Sequence, residues 1–232
     1  MVDAPKRLAV LIDGENMPAK FADAIFDEIA RFGEASVRRL YGDIDEGGVR
    51  PWMEKLSALA ITPCHQPKNT VGKNASDIAL VIDAMDILHA GRHDGFVLIS
   101  SDSDFTKLAQ RIREEGIDVW GMGEGKTPES FRVACKQFIT VENLVSDSEA
   151  SARSAKKQDI NHAYQILKNV ISGSTDDDGW VALGPLGSQL MQRYPDFDPR
   201  SFGHSRLLDL VNSIDKFEIK RIGTQPHARL KP

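Results

Sequence analysis

Four aspartates carry the chemistry that this 232-residue chain most readily suggests. Asp13 closes an apolar run in LIDGEN, Asp77 opens a helical pattern in NASDIAL, and Asp102 and Asp104 follow another apolar run in LISSDSDF. Two carboxylates brought to ~5 Å repel by about 3 kcal/mol at an effective dielectric near 20, so a shared site would take up protons or hold a cation. Donors that are all oxygen suit hard divalent ions, which makes Mg²⁺ or Mn²⁺ the expected cofactor. Such an ion acidifies a water and clamps phosphodiester oxygens. Each acid also has an ordinary explanation. Asp77 can balance a helix dipole three positions after Asn74, Asp102 or Ser101 can cap the helix that starts near Asp104, and Asp13 with Gly14 can belong to a turn. What sets the four apart is their common placement at the end of a sheet where ligands bind. Asp83 and Asp86, about 240° and 180° around a helix from Asp77, are expected on other faces. Asp43 and Asp45 in YGDIDEGG are expected as solvated turn residues.

The elements that must position these acids alternate strand and helix from Leu8 to Leu144. Leu8–Ile12 reads as a buried strand ending at Asp13. Phe21, Ile25, Ile29 and Phe32 recur at helical spacing, and Gly33 stops that helix. Ser36–Tyr41 is a second strand; Trp52, Leu56 and Leu59 mark a helix before a short strand at Ile61–Cys64. Ile78, Val81, Met85 and Leu88 predict one buried stripe on a longer helix ending near Gly91. Phe96–Ser100 is a strongly apolar strand, Phe105, Leu108 and Ile112 a helix closed by Gly116, and Ile117–Trp120 a further strand. Alternation of this kind predicts an α/β fold, a doubly wound parallel sheet covered on both faces. Its ligands would sit beyond the carboxyl ends of the strands, where strand order reverses.

Residues 146–157, within SDSEASARSAKK, are small, polar and aperiodic, and read as a linker between a domain at 1–145 and a second at 158–232. The second carries a helix through Ile160, Tyr164, Leu167 and Ile171, an acidic turn at Asp176–Gly179, Trp180–Leu183, two more helical stretches and a strand at Phe217–Ile222. Three short helices with a terminal strand pair predict a smaller, winged-helix-like α+β domain. Hydrophobic residues make up 41% and charged residues 27%, the balance of an ordinary globular chain. No apolar run approaches the ~20 residues of a membrane span, and no secretory h-region precedes Leu8. Two cysteines, Cys64 and Cys135, are too few for a disulfide framework, so a reducing, cytoplasmic setting is expected. A net charge of −5 argues against a simple nucleic-acid-coating protein. It does not argue against an enzyme that meets phosphate through bound cations.

Other motifs fail on spacing. WGMGEGKT has Trp120 where a phosphate loop needs its first glycine, though its backbone follows a strand and could line the crevice. The glycines do not make a dinucleotide fingerprint, Cys64-His65 is a lone pair, and His89 and His93 flank a helix end at Gly91. No Ser/His/Asp or zinc constellation is present.

LIDGENMP, KNASDIALVIDAMD, and LISSDSDF followed by a helix and GIDVWGMG together resemble the NYN domains of the PIN-like nuclease superfamily, over about Leu8–Leu144. The resemblance implies a PIN-like doubly wound sheet and a metal-dependent ribonuclease in which Asp13, Asp77, Asp102 and Asp104 hold the metal. Asn16, three positions after the first aspartate, would orient Asp13 or a metal-bound water, Ser101 would support the site, and Lys73 would contact phosphate. From Gln158 to Ile222, DGWVALGPLGSQL, YPDFDPRSFGHSRLLDLV and FEIKRI resemble an OST-HTH/LOTUS domain, a winged-helix relative associated with RNA or protein partners. Trp180, Leu186, Phe197, Phe202 and Leu207 would be its core. Arg200 and His204 on one helix, with Arg206 nearby, would be the RNA contacts. The expected function is hydrolysis of single-stranded RNA, cut endonucleolytically, with the second domain recruiting RNA or a protein partner and no role for a membrane. Two alternatives stand beside it: a non-cleaving RNA- or protein-binding adaptor of nuclease-like fold, and a phosphatase or other metal-assisted hydrolase. The last lacks the D-x-D nucleophile loop of one phosphatase class, since Gly14 and Glu15 follow Asp13.

Overall fold

The apolar run Leu8–Ile12 forms the middle of β1 (Arg7–Asp13), and all five residues are fully buried. In the computed structural model the chain divides into two units, Met1–Ser151 and Ala152–Pro232, and the structure describes residues 4–43, 48–65, 74–145, 159–173 and 179–231. Asp45, Lys73 and the expected linker at 146–157 lie outside the described residues.

In the first unit β1 is followed by α1 (Ala22–Ile29), β2 (Glu34–Gly42), α2 (Met53–Leu56), β3 (Thr62–His65) and α3 (Ala75–His89). Then come β4 (Gly95–Ile99), α4 (Thr106–Glu114), β5 (Asp118–Gly123), α5 (Glu129–Ala134) and β6 (Gln137–Thr140). The six strands are parallel in the order β3-β2-β1-β4-β5-β6, the doubly wound α/β sheet expected of a PIN-like fold. Strand order runs outward from β1 in one direction and from β4 in the other, so the reversal falls between these two neighbours, paired from Leu8–Gly95 to Ile12–Ile99. Side-chain alternation splits β1 between two cores. Leu8, Val10 and Ile12 pack with Ile25, Ile29 and Trp52, whereas Ala9 and Leu11 pack with Leu80, Ala84, Leu108 and Ile112.

Helix α3 differs from its expected packing. The residues it buries are Ser76, Leu80, Ala84 and Ile87, while Ile78 is 60% and Ile82 57% exposed, and Val81 is exposed beside them. Of the predicted Ile78–Val81–Met85–Leu88 stripe, Met85 and Leu88 pack partly buried against the core while Ile78 and Val81 do not; the helix is apolar almost all round, and contact with the sheet selected a face rotated from the predicted one. Helix α2 is also shorter than its periodicity suggests, with Trp52 in a 3₁₀ turn before it.

The second unit contains α6 (Ile160–Ser172), β7 (Val181–Ala182), α7 (Leu183–Arg193), α8 (Leu207–Ser213), β8 (Phe217–Ile222) and β9 (Gln225–Leu230). An antiparallel sheet of order β7-β9-β8 accompanies the helices, a small α+β domain of the expected winged-helix kind. Leu186 and Phe202 are buried in the core, and Phe197 and Leu207 pack against it while partly exposed. Trp180, expected in that core, is buried outside it, beneath Lys220 and Arg229. Among the described residues no helix is long and apolar enough to cross a membrane.

Candidate functional site

Asp13 is the last residue of β1 and only 2% exposed. Its environment is built from three directions. The chain turns back at Gly14, whose amide donates to the Tyr41 carbonyl at 2.9 Å. A Cβ at Gly14 would lie 2.8 Å from the Leu40 side chain and 3.1 Å from the Tyr41 carbonyl oxygen, so the close approach to β2 favours glycine. That turn aims the Glu15 and Asn16 amides at Asp13 Oδ1 (3.2 and 3.1 Å), and the Asn16 side chain bonds the same carboxylate. Trp52 fixes the far end of the loop, its indole N–H donating to the Met17 carbonyl at 2.8 Å. From β4 the Ser100 hydroxyl donates to Asp13 Oδ2 at 2.6 Å and accepts from the Asp102 amide at 3.0 Å. Burial pushes the Asp13 carboxyl above its usual range, opposed by these hydrogen bonds.

Asp102 and Asp104 follow β4 on a 3₁₀ turn, Ser103–Phe105. Asp102 Oδ1 caps this turn by accepting from the Asp104 amide at 2.9 Å, so its ordinary capping role is real and sits within the acidic group. Asp77 stands in the first turn of α3, half-buried, and is pushed up to about 6. Burial is the largest cause, followed by the charges of Asp13, Asp102, Glu15 and Asp104 in that order. Thus Asp77 is placed where it senses all the other expected acids, at the end of the sheet where strand order reverses. Asp83 faces elsewhere on α3, accepting from the Tyr41 hydroxyl at 2.6 Å and pairing with Arg39 at 2.6 Å.

Several participants escaped the sequence reading. Glu15 Oε1 accepts from the Ser76 hydroxyl at 3.0 Å and the Asp43 amide at 3.4 Å, which ties the β1 loop to α3 and β2. Asp43 is buried rather than a solvated turn residue, and its amide donates to the Glu15 side chain. The hydroxyl that touches Asp13 belongs to Ser100, whereas Ser101 accepts from the Glu124 amide at 3.0 Å and so holds the loop after β5. In that loop a Cβ at Gly123 would lie 2.5 Å from the Ser100 carbonyl, so GMGEGKT does pack against the site strand. A buried serine beside an acid-terminated strand is the signal that could have singled out Ser100.

In the second unit Arg200 and His204 do not share a helix. Pro199–Phe202 is a 3₁₀ turn ended by Gly203 at φ 86°, and α8 begins only at Leu207. Asp198 grips the Arg200 guanidinium at 2.8 Å from both Nε and Nη2.

The donor set around Asp77 is entirely carboxylate oxygen, which fits a hard divalent cation. Among the described residues no three His, Cys, Asp or Glu side chains are already gathered closely enough to enclose an ion. They share one end of the sheet and one electrostatic environment.

The sequence profile of the NYN domain matches residues 7–144, from β1 through all the acids just described. The chain belongs to the NYN domain family. The profile of the OST-HTH/LOTUS domain matches residues 160–227, so an NYN domain is followed by an OST-HTH/LOTUS domain. A comparison with curated proteins finds no match. Among solved structures, a protein of unknown function from Vibrio parahaemolyticus is similar at a TM-score of 0.51 and 17% identity, over 60% of this chain and 95% of that one. At that identity the likeness concerns the fold. The pairing of domains makes this NYN chain a nuclease-fold, RNA-associated protein.

Proposed function

We propose that the NYN domain is a divalent-metal-dependent endoribonuclease acting on single-stranded RNA, with Mg²⁺ or Mn²⁺ held by Asp13, Asp77, Asp102 and Asp104. The observation that carries this reading is the gathering of Asp13, Asp102 and Asp104 around Asp77, whose carboxyl is raised first by burial and then by the charges of these acids and Glu15. Four negative charges at the switch point of a doubly wound sheet repel a phosphodiester unless a cation stands between them. When bound, that cation supplies charge for the phosphoryl oxygens and acidity for a water. The chain's own residues prepare the place. Ser100 and the Glu15 and Asn16 amides fix the Asp13 carboxylate in one orientation. Glu15 holds the start of α3 through Ser76, which keeps Asp77 facing Asp13. Asp102, half-buried, and Asp104, exposed, stand on the short turn that follows β4. Lys73, next to Asn74 in sequence, would contact phosphate. In the hydrolysis, water adds to phosphorus, a P–O bond of the backbone breaks, and the leaving oxygen takes a proton. The OST-HTH/LOTUS domain would bring RNA to this centre. The two free thiols, Cys64 and Cys135, suit a cytoplasmic setting.

Labelled single-stranded RNA incubated with wild type in Mn²⁺ should be cut, and EDTA or Asp13→Asn should stop the cutting. The other reading is an adaptor that binds RNA without cleaving it. Wild type as inert as Asp13→Asn, yet still binding RNA, would select the adaptor.

A further inference from the structure

The C-terminal hairpin carries positive charge that its surroundings do not neutralise. Between Lys216 and Lys231 the chain has five lysines and arginines and one acid, Glu218. That acid is already engaged, since Arg229 Nε and Nη2 lie 2.7 and 2.6 Å from Glu218 Oε2. Lys220 and Arg221 are exposed, with no acid within ion-pair distance among the described residues. Alternation sorts the two strands cleanly. Phe217, Ile219, Ala228 and Leu230 join the core, so Glu218, Lys220, His227 and Arg229 face outward, with Lys220 opposite His227 and Glu218 opposite Arg229.

Trp180 organises this outer face. Val181 is buried against Ala228, which turns its neighbour Trp180 to the outer side. The Lys220 ammonium lies 4.1 Å and the Arg229 guanidinium 4.6 Å from the indole centroid. At 9% exposure the ring is a floor that holds two cations in place rather than a platform open to solvent. Cations fixed in advance lose less rotamer freedom when an anion arrives. At the tip, Ile222 is 49% exposed beside Arg221, adding an apolar edge to the charged strip. The strip spans three strands, roughly 10 Å across, a width suited to one polynucleotide strand. On a chain of net charge −5, a basic strip this local marks where a polyanion is attracted.

We propose that the outer face and tip of the β8–β9 hairpin, with Lys220 and Arg229 over Trp180, His227 on the same face and Arg221 near the tip, dock the phosphate backbone of single-stranded RNA. This rests on the reading that the second domain recruits RNA, and it names the surface that does so. The test uses the full chain in EDTA, so that cutting plays no part, with the anisotropy of a fluorescein-labelled 20-nucleotide oligouridylate read across a salt series. Lys220→Gln with Arg221→Gln should weaken binding and reduce the slope of log K against log salt by about 1.4, at ~0.7 for each lost contact to a single strand. Arg221→Gln alone, which touches no ring, should move both in the same direction, and Lys220→Glu should weaken binding by about tenfold or more. Thermal melting of each variant verifies folding. Four results would overturn the proposal: no RNA binding by wild type, unchanged affinity and slope in the folded double variant, a loss carried instead by Arg200→Gln with His204→Gln, or displacement of RNA by polyglutamate at equal charge, which would assign the face to an acidic protein. Cleavage by wild type in Mn²⁺ is scored separately, so a catalytically silent chain that binds through Lys220 would refute the nuclease reading and leave this surface standing.

Discussion

Ser100 decides how Asp13 presents its carboxylate, because one hydroxyl both donates to Asp13 and accepts from the Asp102 amide. Outer partners of this kind are worth about 10–100-fold in metal affinity or activity. Ser100→Ala is therefore expected to lower Mn²⁺ affinity and RNA cutting by that factor with the fold intact, measured by calorimetry and single-turnover cleavage. Asp77 gives a second prediction with a definite sign. Its carboxyl sits near 6 in the fold against an ordinary 3.8, so the folded chain keeps a proton that the unfolded chain releases over that interval. Its contribution to stability consequently falls as pH rises from about 4 through about 6. Asp77→Asn should raise the thermal midpoint of the metal-free protein at pH 8, change it little at pH 4, and abolish cleavage. A midpoint lowered at pH 8 would contradict the crowding of acids. The types and strand-end positions of Asp13, Asp77, Asp102 and Asp104 were legible from the sequence. Which of two adjacent serines meets Asp13 was not, because β4 ends at Ile99 and alternation stops guiding direction there. The roles of Glu15 and Asp43 depend on contacts between residues far apart in sequence, Glu15 with Asp43 and Ser76, which no local pattern encodes.

Strands β1 and β4 follow directly from their apolar runs, but that they are neighbours at the reversal of strand order comes from the sheet pairing rather than from the sequence. Helix α3 was readable as a helix but not in its rotation. Its alanines, leucines, isoleucines, valine and methionine surround the axis, and the sheet, not the period, chose Leu80, Ala84 and Ile87 as the buried face. Leu80→Ala should cost about 2–5 kcal/mol, whereas Ile78→Ala should change stability by no more than about 0.5 kcal/mol, both from denaturant titration. Equal losses would restore the stripe that periodicity suggested. In the second domain Gly203 interrupts what looked like one helix from Arg200 to Leu207. Its left-handed conformation, rather than any hydrophobic pattern, separates Arg200 from the helix that follows.

Each domain has its own core, with the sheet of the NYN unit enclosed by two apolar layers and the OST-HTH/LOTUS unit built around α6 and its hairpin. Residues 1–145 expressed alone should fold, keep Mn²⁺-dependent cutting, and bind RNA more weakly by about tenfold or more, since linkage of two sites to one strand multiplies affinity. Insolubility of that fragment would show that the domain boundary is misplaced or that the units depend on one another. Tests on RNA combine several properties of the chain, whereas the cation site can be addressed by itself. Calorimetric titration of Mn²⁺ into the full chain at pH 6, in two buffers of different ionisation heat, addresses it most directly. Saturable uptake that releases protons, and that Asp13→Asn removes, is the predicted result. Absence of uptake, or uptake unaltered in Asp13→Asn, would contradict a metal centre built on these acids.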